Sequence, residues 1–120
     1  MKCVIADDNK IIRALLLRIM SNLNFEVIEA EDGEEVVEIC QLQEPDLVIM
    51  ELVLPLLDGL NALYQIRASK GIKQPKVLIC SSITDPLKIK ETITNGADEY
   101  VMKPFDEEIV VNKLDILGLR

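Results

Sequence analysis

Five short apolar runs alternate with amphipathic stretches along this chain of 120 residues, and that alternation limits the possible folds more than any other feature. The run Leu47–Met50 and the run at 77–80 are continuously apolar, which is typical of strands covered on both faces. Between the runs, apolar residues recur at helical spacing. They are Ile11, Ile12, Leu15, Leu16, Ile19, Met20 and Leu23 in the first such stretch. Regular alternation with short connections predicts an α/β fold: a parallel sheet with helices on both faces.

The predicted strands are residues 2–6, 25–30, 47–50, 77–80 and 99–102. Asp32, with Glu35 three residues later, and Asp85, directly before Pro86, are predicted helix N-caps. A third N-cap is predicted at residue 106, and the helices are predicted to end near residues 70–71, 95–96 and 117. No linker, repeat or low-complexity segment interrupts the pattern. One domain spanning residues 1–120 is therefore predicted.

Composition excludes several classes of function. A net charge of −8 argues against nucleic-acid binding, which depends on clustered Lys and Arg. The chain contains no histidine, which removes His-based catalysis and most catalytic zinc sites. No apolar run approaches the roughly 18 residues of a membrane span, and the N-terminus lacks a signal-peptide layout, so we expect a cytoplasmic protein without membrane contacts. Cys3, Cys40 and Cys80 lie in apolar surroundings and are expected to be buried, reduced thiols.

Polar residues follow four of the predicted strands. Asp7 and Asp8 follow the first strand, Glu51 the third and Lys103 the fifth, while Ser81 and Ser82 follow the fourth. The binding crevice of an open parallel sheet lies outside the carboxyl ends of its strands. Each residue alone could be a turn former, but four strands that contribute to one edge indicate a site.

Carboxylates gathered in one crevice repel one another. At about 4 Å and an effective dielectric near 20, one like-charged pair costs about 4 kcal/mol. Either a positive charge among them or the uptake of a proton by one of them relieves this repulsion. A hard divalent cation is the natural answer, because Mg²⁺ prefers oxygen ligands. Lys103 supplies a second positive charge and Ser81 a hydroxyl that can donate to an anion. These groups together indicate metal-assisted phosphoryl chemistry.

Five motifs then resemble those of one family. They are Ala6-Asp7-Asp8, Pro45-Asp46-Leu47-Val48-Ile49-Met50, Leu54-Pro55 with Asp58-Gly59, Ile79-Cys80-Ser81-Ser82, and Gly96-Ala97-Asp98-Glu99-Tyr100-Val101-Met102-Lys103-Pro104-Phe105. In order and over the whole chain, they resemble the receiver (CheY-like) domain of two-component response regulators. The resemblance implies the flavodoxin-like, doubly wound strand order 2-1-3-4-5, which is the order of CheY itself.

The resemblance also implies a Mg²⁺ site. Asp7 and Asp8 would form its acidic pair, with Asp8 the direct ligand. Glu51 and the backbone carbonyl of Val53 would complete the metal shell. Glu51 stands at the phosphoacceptor position.

Switching roles follow from the same resemblance. Ser81 would be the hydroxyl that moves towards the phosphate, Lys103 the lysine that neutralises it, and Tyr100 the aromatic whose rotamer reports activation. The Lys103–Pro104 peptide bond would be cis.

A sensor histidine kinase or phosphotransfer protein would donate the phosphoryl group. A downstream protein, or a second copy in a homodimer, would bind the face formed by the fourth helix, last strand and last helix (about residues 88–114). Such a domain is a switch with self-directed phosphotransfer at most, not an enzyme.

Glu51 departs from the family, whose acceptor is Asp. Its carboxylate reaches further by about 1.5 Å, roughly one bond length. Because a misplacement near 1 Å can cost about a hundredfold in rate, phosphorylation of this chain is not assumed. Glu51 is either an introduced change that imitates the aspartyl phosphate or the natural residue of a pseudo-receiver. The intact Asp7, Asp8, Ser81 and Lys103 favour the first.

Two other classes share parts of the pattern. A metal-dependent phosphohydrolase needs a second acid two residues after its acceptor Asp, whereas Asp7 and Asp8 are adjacent, and it needs a cap for which the chain has no room. A flavodoxin-like FMN protein needs a phosphate-cradling loop after the first strand, where Asp7, Asp8 and Asn9 would repel phosphate. The acidic composition and residues 107–119 favour a stand-alone receiver over a piece of a longer regulator.

Overall fold

The computed structural model describes residues 1–120 and consists of five strand–helix units. The elements are β1 (Lys2–Ala6), α1 (Lys10–Asn22), β2 (Glu26–Ala30), α2 (Gly33–Gln43), β3 (Leu47–Met50), α3 (Gly59–Ala68), β4 (Lys76–Ser81), α4 (Pro86–Thr94), β5 (Glu99–Met102) and α5 (Glu107–Ile116). All neighbouring strands are parallel, in the order β2-β1-β3-β4-β5, so the predicted fold class is confirmed. None of the helices has the length and apolar character needed to cross a membrane.

The sheet is buried on both faces because alternate residues of each central strand point to opposite sides. Val4, Val48 and Val77 belong to a core shared with α2 and α3. Ile5, Ile49 and Leu78 belong to a second core, shared with α1 and α5. This arrangement explains why β3 and β4 are apolar without alternation: neither face of these strands meets water.

The three cysteines are buried in these cores as free thiols. Burial raises the pKa of Cys40 to about 11 and that of Cys80 to about 12. It raises the pKa of Cys3 still further. A thiol with such a pKa remains protonated at neutral pH and packs as a small apolar side chain.

The predicted N-caps are present at Asp32, Asp85 and Asp106, where each side chain accepts a backbone N–H from the first turn. The carboxylate of Glu35 accepts from the N–H of Glu31, one residue before the N-cap, and not from Asp32 itself. The N-terminal turn is satisfied by both bonds nevertheless.

The third helix ends at Ala68, short of the predicted end near residues 70–71. The side-chain amide of Gln74 donates to the carbonyls of Ile66 and Ser69, and the N–H of Ser69 donates back to Ile66. The helix ends because the backbone of Ser69 is extended, with φ −71° and ψ 120°, and these bonds satisfy carbonyls at its end. A bond from a residue beyond the helix is not visible in the periodicity of the sequence.

Asp46 anchors the amino-terminal edge of the sheet. Its carboxylate accepts from the N–H of Lys2 at 2.7 Å and from the Lys73 ammonium. Its backbone donates to the carbonyl of Lys2 and accepts from the N–H of Lys76. The residue therefore ties together the first residues of β1, β3 and β4. The hydrogen bond from Lys73, followed by that from Lys2, lowers the pKa of Asp46 from its ordinary 3.8.

We expect Asp46→Asn to lower the free energy of unfolding by about 1 kcal/mol at pH 7, because it removes charge-assisted bonds that are partly screened by solvent. The folded-state pKa is depressed, so the contribution of Asp46 is present above the ordinary pKa and is lost as the pH falls below about 4. Urea unfolding of both proteins between about pH 7 and about pH 2.5 measures the difference. Asp115→Asn, at an exposed pair with Arg120, is the control and should change little. A difference that persists undiminished at the acidic end of this range would contradict this account.

Candidate functional site

The carboxyl ends of β1, β3 and β5 bring together two carboxylates and one lysine. Lys103 Nζ lies 2.8 Å from Asp7 Oδ2 and 3.1 Å from Glu51 Oε1. The three side chains are 16%, 2% and 6% exposed respectively. The predicted juxtaposition of Asp7, Glu51 and Lys103 is thus observed, with the lysine between the two acids. The expected cis peptide bond between Lys103 and Pro104 is also present.

The ion pairs determine the charge state of Lys103. Burial alone would lower its pKa, but the hydrogen bonds to Asp7 and Glu51 outweigh burial and raise the pKa above its ordinary 10.5. Because the folded-state pKa is raised, the stabilisation from this charge is complete below pH 10.5 and is lost only as the pH rises through the folded pKa. Lys103 is therefore a permanent positive charge in the crevice at neutral pH.

The second oxygen of Glu51 turns back onto its own loop. Glu51 Oε2 accepts the backbone N–H of Leu52 at 2.6 Å and that of Val53 at 3.3 Å. Both carboxylate oxygens consequently have donors, one from Lys103 and the other from the loop. The negative charge of Glu51 is satisfied entirely by groups of this chain.

Close packing fixes the backbone beneath Glu51. The N–H of Gly59 donates to the carbonyl of Leu52 at 2.8 Å. A Cβ at position 59 would lie 2.3 Å from the carbonyl oxygen of Glu51, well inside van der Waals contact. Only glycine lets the start of α3 approach the end of β3 so closely, which explains Gly59 in the sequence.

Ser81 and Tyr100 both hold the backbone of Ile83 in the loop between β4 and α4. Ser81 is fully buried, and its hydroxyl oxygen accepts the N–H of Ile83 at 3.2 Å. The Tyr100 hydroxyl donates to the carbonyl of Ile83 at 2.8 Å. Burial raises the pKa of Tyr100 above its ordinary value. The two predicted switch residues therefore meet on one loop residue, which the sequence did not indicate.

Asp8 and Val53, the other two residues predicted to hold a metal ion, differ from Asp7 and Glu51 in being exposed to solvent. Asp8 is exposed, and the Val53 side chain is largely exposed, its N–H being the group that contacts Glu51. No three His, Cys, Asp or Glu side chains are arranged to hold a metal ion. Lys103 instead provides the cation that lies between the acids.

An apolar pocket adjoins the crevice but does not include it. It is lined by Leu52, Val53, Leu54, Asp58, Leu60, Ile83 and Lys88. Its walls come largely from the loop after β3 and the loop after β4, and neither Asp7 nor Lys103 lines it. The charged groups suited to phosphoryl chemistry therefore lie in the acidic crevice, not in this pocket.

Arg13 is a residue of the site region that sequence reasoning did not single out. It is 8% exposed, and its guanidinium donates to the backbone carbonyl of Asp7 at 2.6 Å. The signal in the sequence was its position in α1, since Arg13 lies at helical spacing from the buried Leu16 and Met20. A charged residue on the apolar face of a helix needs a buried partner.

Comparison with known proteins shows similarity over the region that contains these residues. Residues 3–115 match the family described as the response regulator receiver domain. The chemotaxis protein CheY of Halobacterium salinarum is 35% identical over 116 residues, which cover 95% of this chain and 94% of that protein. These matches extend over nearly the entire chain.

Solved structures share the fold. The chemotaxis response regulator CheY4 of Vibrio cholerae has a TM-score of 0.88 and 26% identity, with 97% of each chain covered. The receiver domain of the sensor histidine kinase PA1611 of Pseudomonas aeruginosa has a TM-score of 0.86 at 22% identity, covering 96% of this chain and 94% of that one. That structure has a magnesium ion coordinated in its active site cleft.

We expect Lys103→Met to destabilise the protein by about 3 kcal/mol, because removing one partner leaves buried charge unpaired. Adding Glu51→Gln should restore a large part of this loss, since the double variant has only Asp7 left as a buried acid. Chemical denaturation of the two single variants and the double variant gives the coupling energy directly. Lys113→Met, which breaks the more exposed pair with Glu99, is the control. Additive losses in the double variant would show that Lys103 does not neutralise Glu51.

Proposed function

The chain belongs to the response regulator receiver domains of two-component signalling, and we propose that it is a protein-binding switch whose acceptor position, Glu51, does not take a phosphoryl group. The observation that carries the proposal is the environment of the Glu51 carboxylate. One of its oxygens is bound by Lys103 and the other by the N–H groups of Leu52 and Val53. These are donors that a phosphoryl group on this residue would also need. Glu51 therefore acts as a built-in anion in the crevice.

Phosphorylation of Glu51 is disfavoured for two reasons. Its carboxylate is displaced by one methylene relative to an acceptor Asp, and in-line transfer tolerates little misplacement. Attack on a phosphodonor would also have to release an oxygen from Lys103 or from the loop amides. The two explanations of Glu51, a phosphomimetic replacement and a natural pseudo-receiver, both agree with this arrangement.

We also propose that Mg²⁺ binds in the crevice. Asp7, Asp8 and Glu51 carry three negative charges against the one positive charge of Lys103, so a divalent cation would balance the remainder. Asp8, Glu51 and the Val53 carbonyl would hold the ion, with Asp7 beside them. When bound, Mg²⁺ would supply positive charge against phosphoryl oxygens. Because Lys103 already binds both Asp7 and Glu51, we expect only weak binding.

The output of the switch is proposed to be a change on the face of α4, β5 and α5. Large apolar side chains are exposed on these elements: Leu87, Ile93, Met102, Ile109 and Ile116. Tyr100 in β5 connects this face to Ile83, and Ser81 holds the same residue from the crevice. A downstream protein or a second copy would bind there, and a histidine kinase or phosphotransfer protein would be the donor for an Asp-bearing form. The domain is a switch rather than an enzyme acting on separate substrates.

We expect Glu51→Asp to create a competent phosphoacceptor. With acetyl phosphate and Mg²⁺, the introduced aspartate carboxylate would form a new O–P bond as the acetyl–phosphate P–O bond breaks and acetate leaves. The chain with Glu51 should be labelled at a rate lower by about a hundredfold or more, as expected for a misplaced acceptor. Intact-mass spectrometry over time measures both labelling rates, that of the Glu51→Asp variant and that of the Glu51 chain.

Omitting Mg²⁺ should abolish labelling of the Glu51→Asp variant. A Mg²⁺ titration of the Glu51 chain, followed by amide shifts at Asp7, Asp8 and Glu51, should show change only at millimolar metal. A Glu51→Asp variant that remains folded and binds metal, yet is never labelled, would refute the proposed function.

The Glu51 chain should be partially activated. An aspartyl phosphate has nearly two negative charges and three acceptor oxygens, whereas Glu51 has one charge and two oxygens, so it biases the switch less. NMR resonances of Tyr100 should therefore lie between those of Glu51→Asp without and with beryllofluoride. If they coincide with the spectrum lacking beryllofluoride, Glu51 blocks phosphorylation without imitating it.

A further inference from the structure

We propose that Arg13 is a positioning residue: it holds Asp7 in place and, through Asp7 and Lys103, sets the position of the acceptor side chain at residue 51. The inference about acceptor chemistry rests on the proposed function above. The inference about side-chain position does not, because it concerns the chain with Glu51 as it stands.

Arg13 contacts Asp7 from within the protein. Its Nη1 donates to the Asp7 backbone carbonyl at 2.6 Å, which is a short charge-assisted bond. Nε and Nη2 contact the carboxylates of Glu29 and Glu31 at 3.2 and 3.4 Å. One guanidinium thus joins the residue after β1 to β2 and to the loop that follows β2.

The hydrogen bond from Arg13 to the Asp7 carbonyl contributes more to holding Asp7 than the ion pairs of Arg13 with Glu29 and Glu31 do. Glu29 and Glu31 are 46% and 69% exposed, so solvent screens their attraction to Arg13. The Asp7 carbonyl is buried, and its loss of a charged donor would leave an unsatisfied polar group.

Asp7 has a bond at every polar atom. Its N–H donates to the carbonyl of Ala30 at 3.3 Å, and its Oδ1 accepts the N–H of Asn9 at 2.8 Å. Its Oδ2 accepts from Lys103, which in turn binds Glu51. The bond from Arg13 completes this set. Without Arg13, the turn after β1 gains freedom, and any shift of Asp7 moves the ammonium that holds the residue 51 carboxylate.

Arg67 offers a matched control. It is also a partly buried arginine with several bonds, to the carbonyls of Gly96 and Pro75 and to Asp98. It lies near the amino-terminal ends of β4 and β5, at the opposite edge of the sheet from the crevice. Arg67→Gln removes a comparable set of bonds without touching Asp7.

The first test uses the chain with Glu51. In Arg13→Gln, ¹⁵N amide shifts should change at Asp7 and also at Leu52 and Val53, whose N–H groups report the Glu51 carboxylate. Arg67→Gln should leave those three amides unchanged. Absence of shifts at Leu52 and Val53 in a folded Arg13→Gln protein would overturn the positioning role.

The second test uses Glu51→Asp with acetyl phosphate, well below the unfolding transition. Adding Arg13→Gln should slow labelling by about tenfold, a part of the roughly hundredfold that a misplacement of about 1 Å can cost. Arg13→Lys, which keeps the charge and N–H donors but not the planar guanidinium, should lose less. Arg67→Gln and the pair Glu29→Gln with Glu31→Gln should each change the rate by less than about twofold, because screened surface pairs contribute little.

The outcomes separate the two proposals. Equal slowing by Arg13→Gln and Arg67→Gln would mean general destabilisation and would refute the role of Arg13. If Glu51→Asp is not labelled in any background, the proposed function fails, and the amide shifts in the Glu51 chain alone decide the role of Arg13.

Discussion

The bridge that Lys103 makes between Asp7 and Glu51 is the interaction on which the crevice depends. Two nearly buried carboxylates at neighbouring strand ends repel each other, and neither is exposed enough for water to screen its charge. Lys103, which follows the edge strand β5, reaches across the sheet to both carboxylates. Its own charge is retained because the two acids raise its pKa against the effect of burial. The architecture brings these groups together, since β1, β3 and β5 all end at one edge of the parallel sheet.

The backbone around this bridge is held in place by contacts that leave little freedom. Gly59 lets α3 approach the end of β3, and Arg13 binds the carbonyl of Asp7. On the other side, Ser81 and Tyr100 hold the N–H and the carbonyl of Ile83. A change of charge at residue 51 would therefore act on a preorganised set of bonds. Such a set is better suited to two discrete arrangements than to gradual deformation.

The Glu51 side chain changes which charged partners the crevice needs. With Lys103 on one oxygen and two loop amides on the other, its carboxylate is satisfied without phosphate or metal. The receiver fold is retained. Under the proposed function, a fixed charge at residue 51 takes the place of the phosphorylation step. That combination is the physical basis of the proposed phosphorylation-independent function.

Local patterns in the chain were enough to place the helices and strands and the edge of the sheet where the site lies. Strands such as Leu47–Met50 and caps such as Asp85 depend on neighbouring residues and were predicted closely. The gathering of Asp7, Glu51 and Lys103 follows from parallel strands that share an edge. The strand order came from the resemblance to a family, since periodicity does not specify which strands pair.

The hydrogen bonds within the site were decided by the tertiary structure. That Lys103 binds both acids, that Glu51 turns back to its own amides and that Asp8 remains exposed are results of packing between distant segments. The helical spacing of Arg13 from buried apolar residues indicated that it needs a buried partner, but only folding placed the Asp7 carbonyl beside it. Spacing along the chain specifies which residues reach an edge, whereas side-chain partners depend on distances that arise only when the helices pack on the sheet.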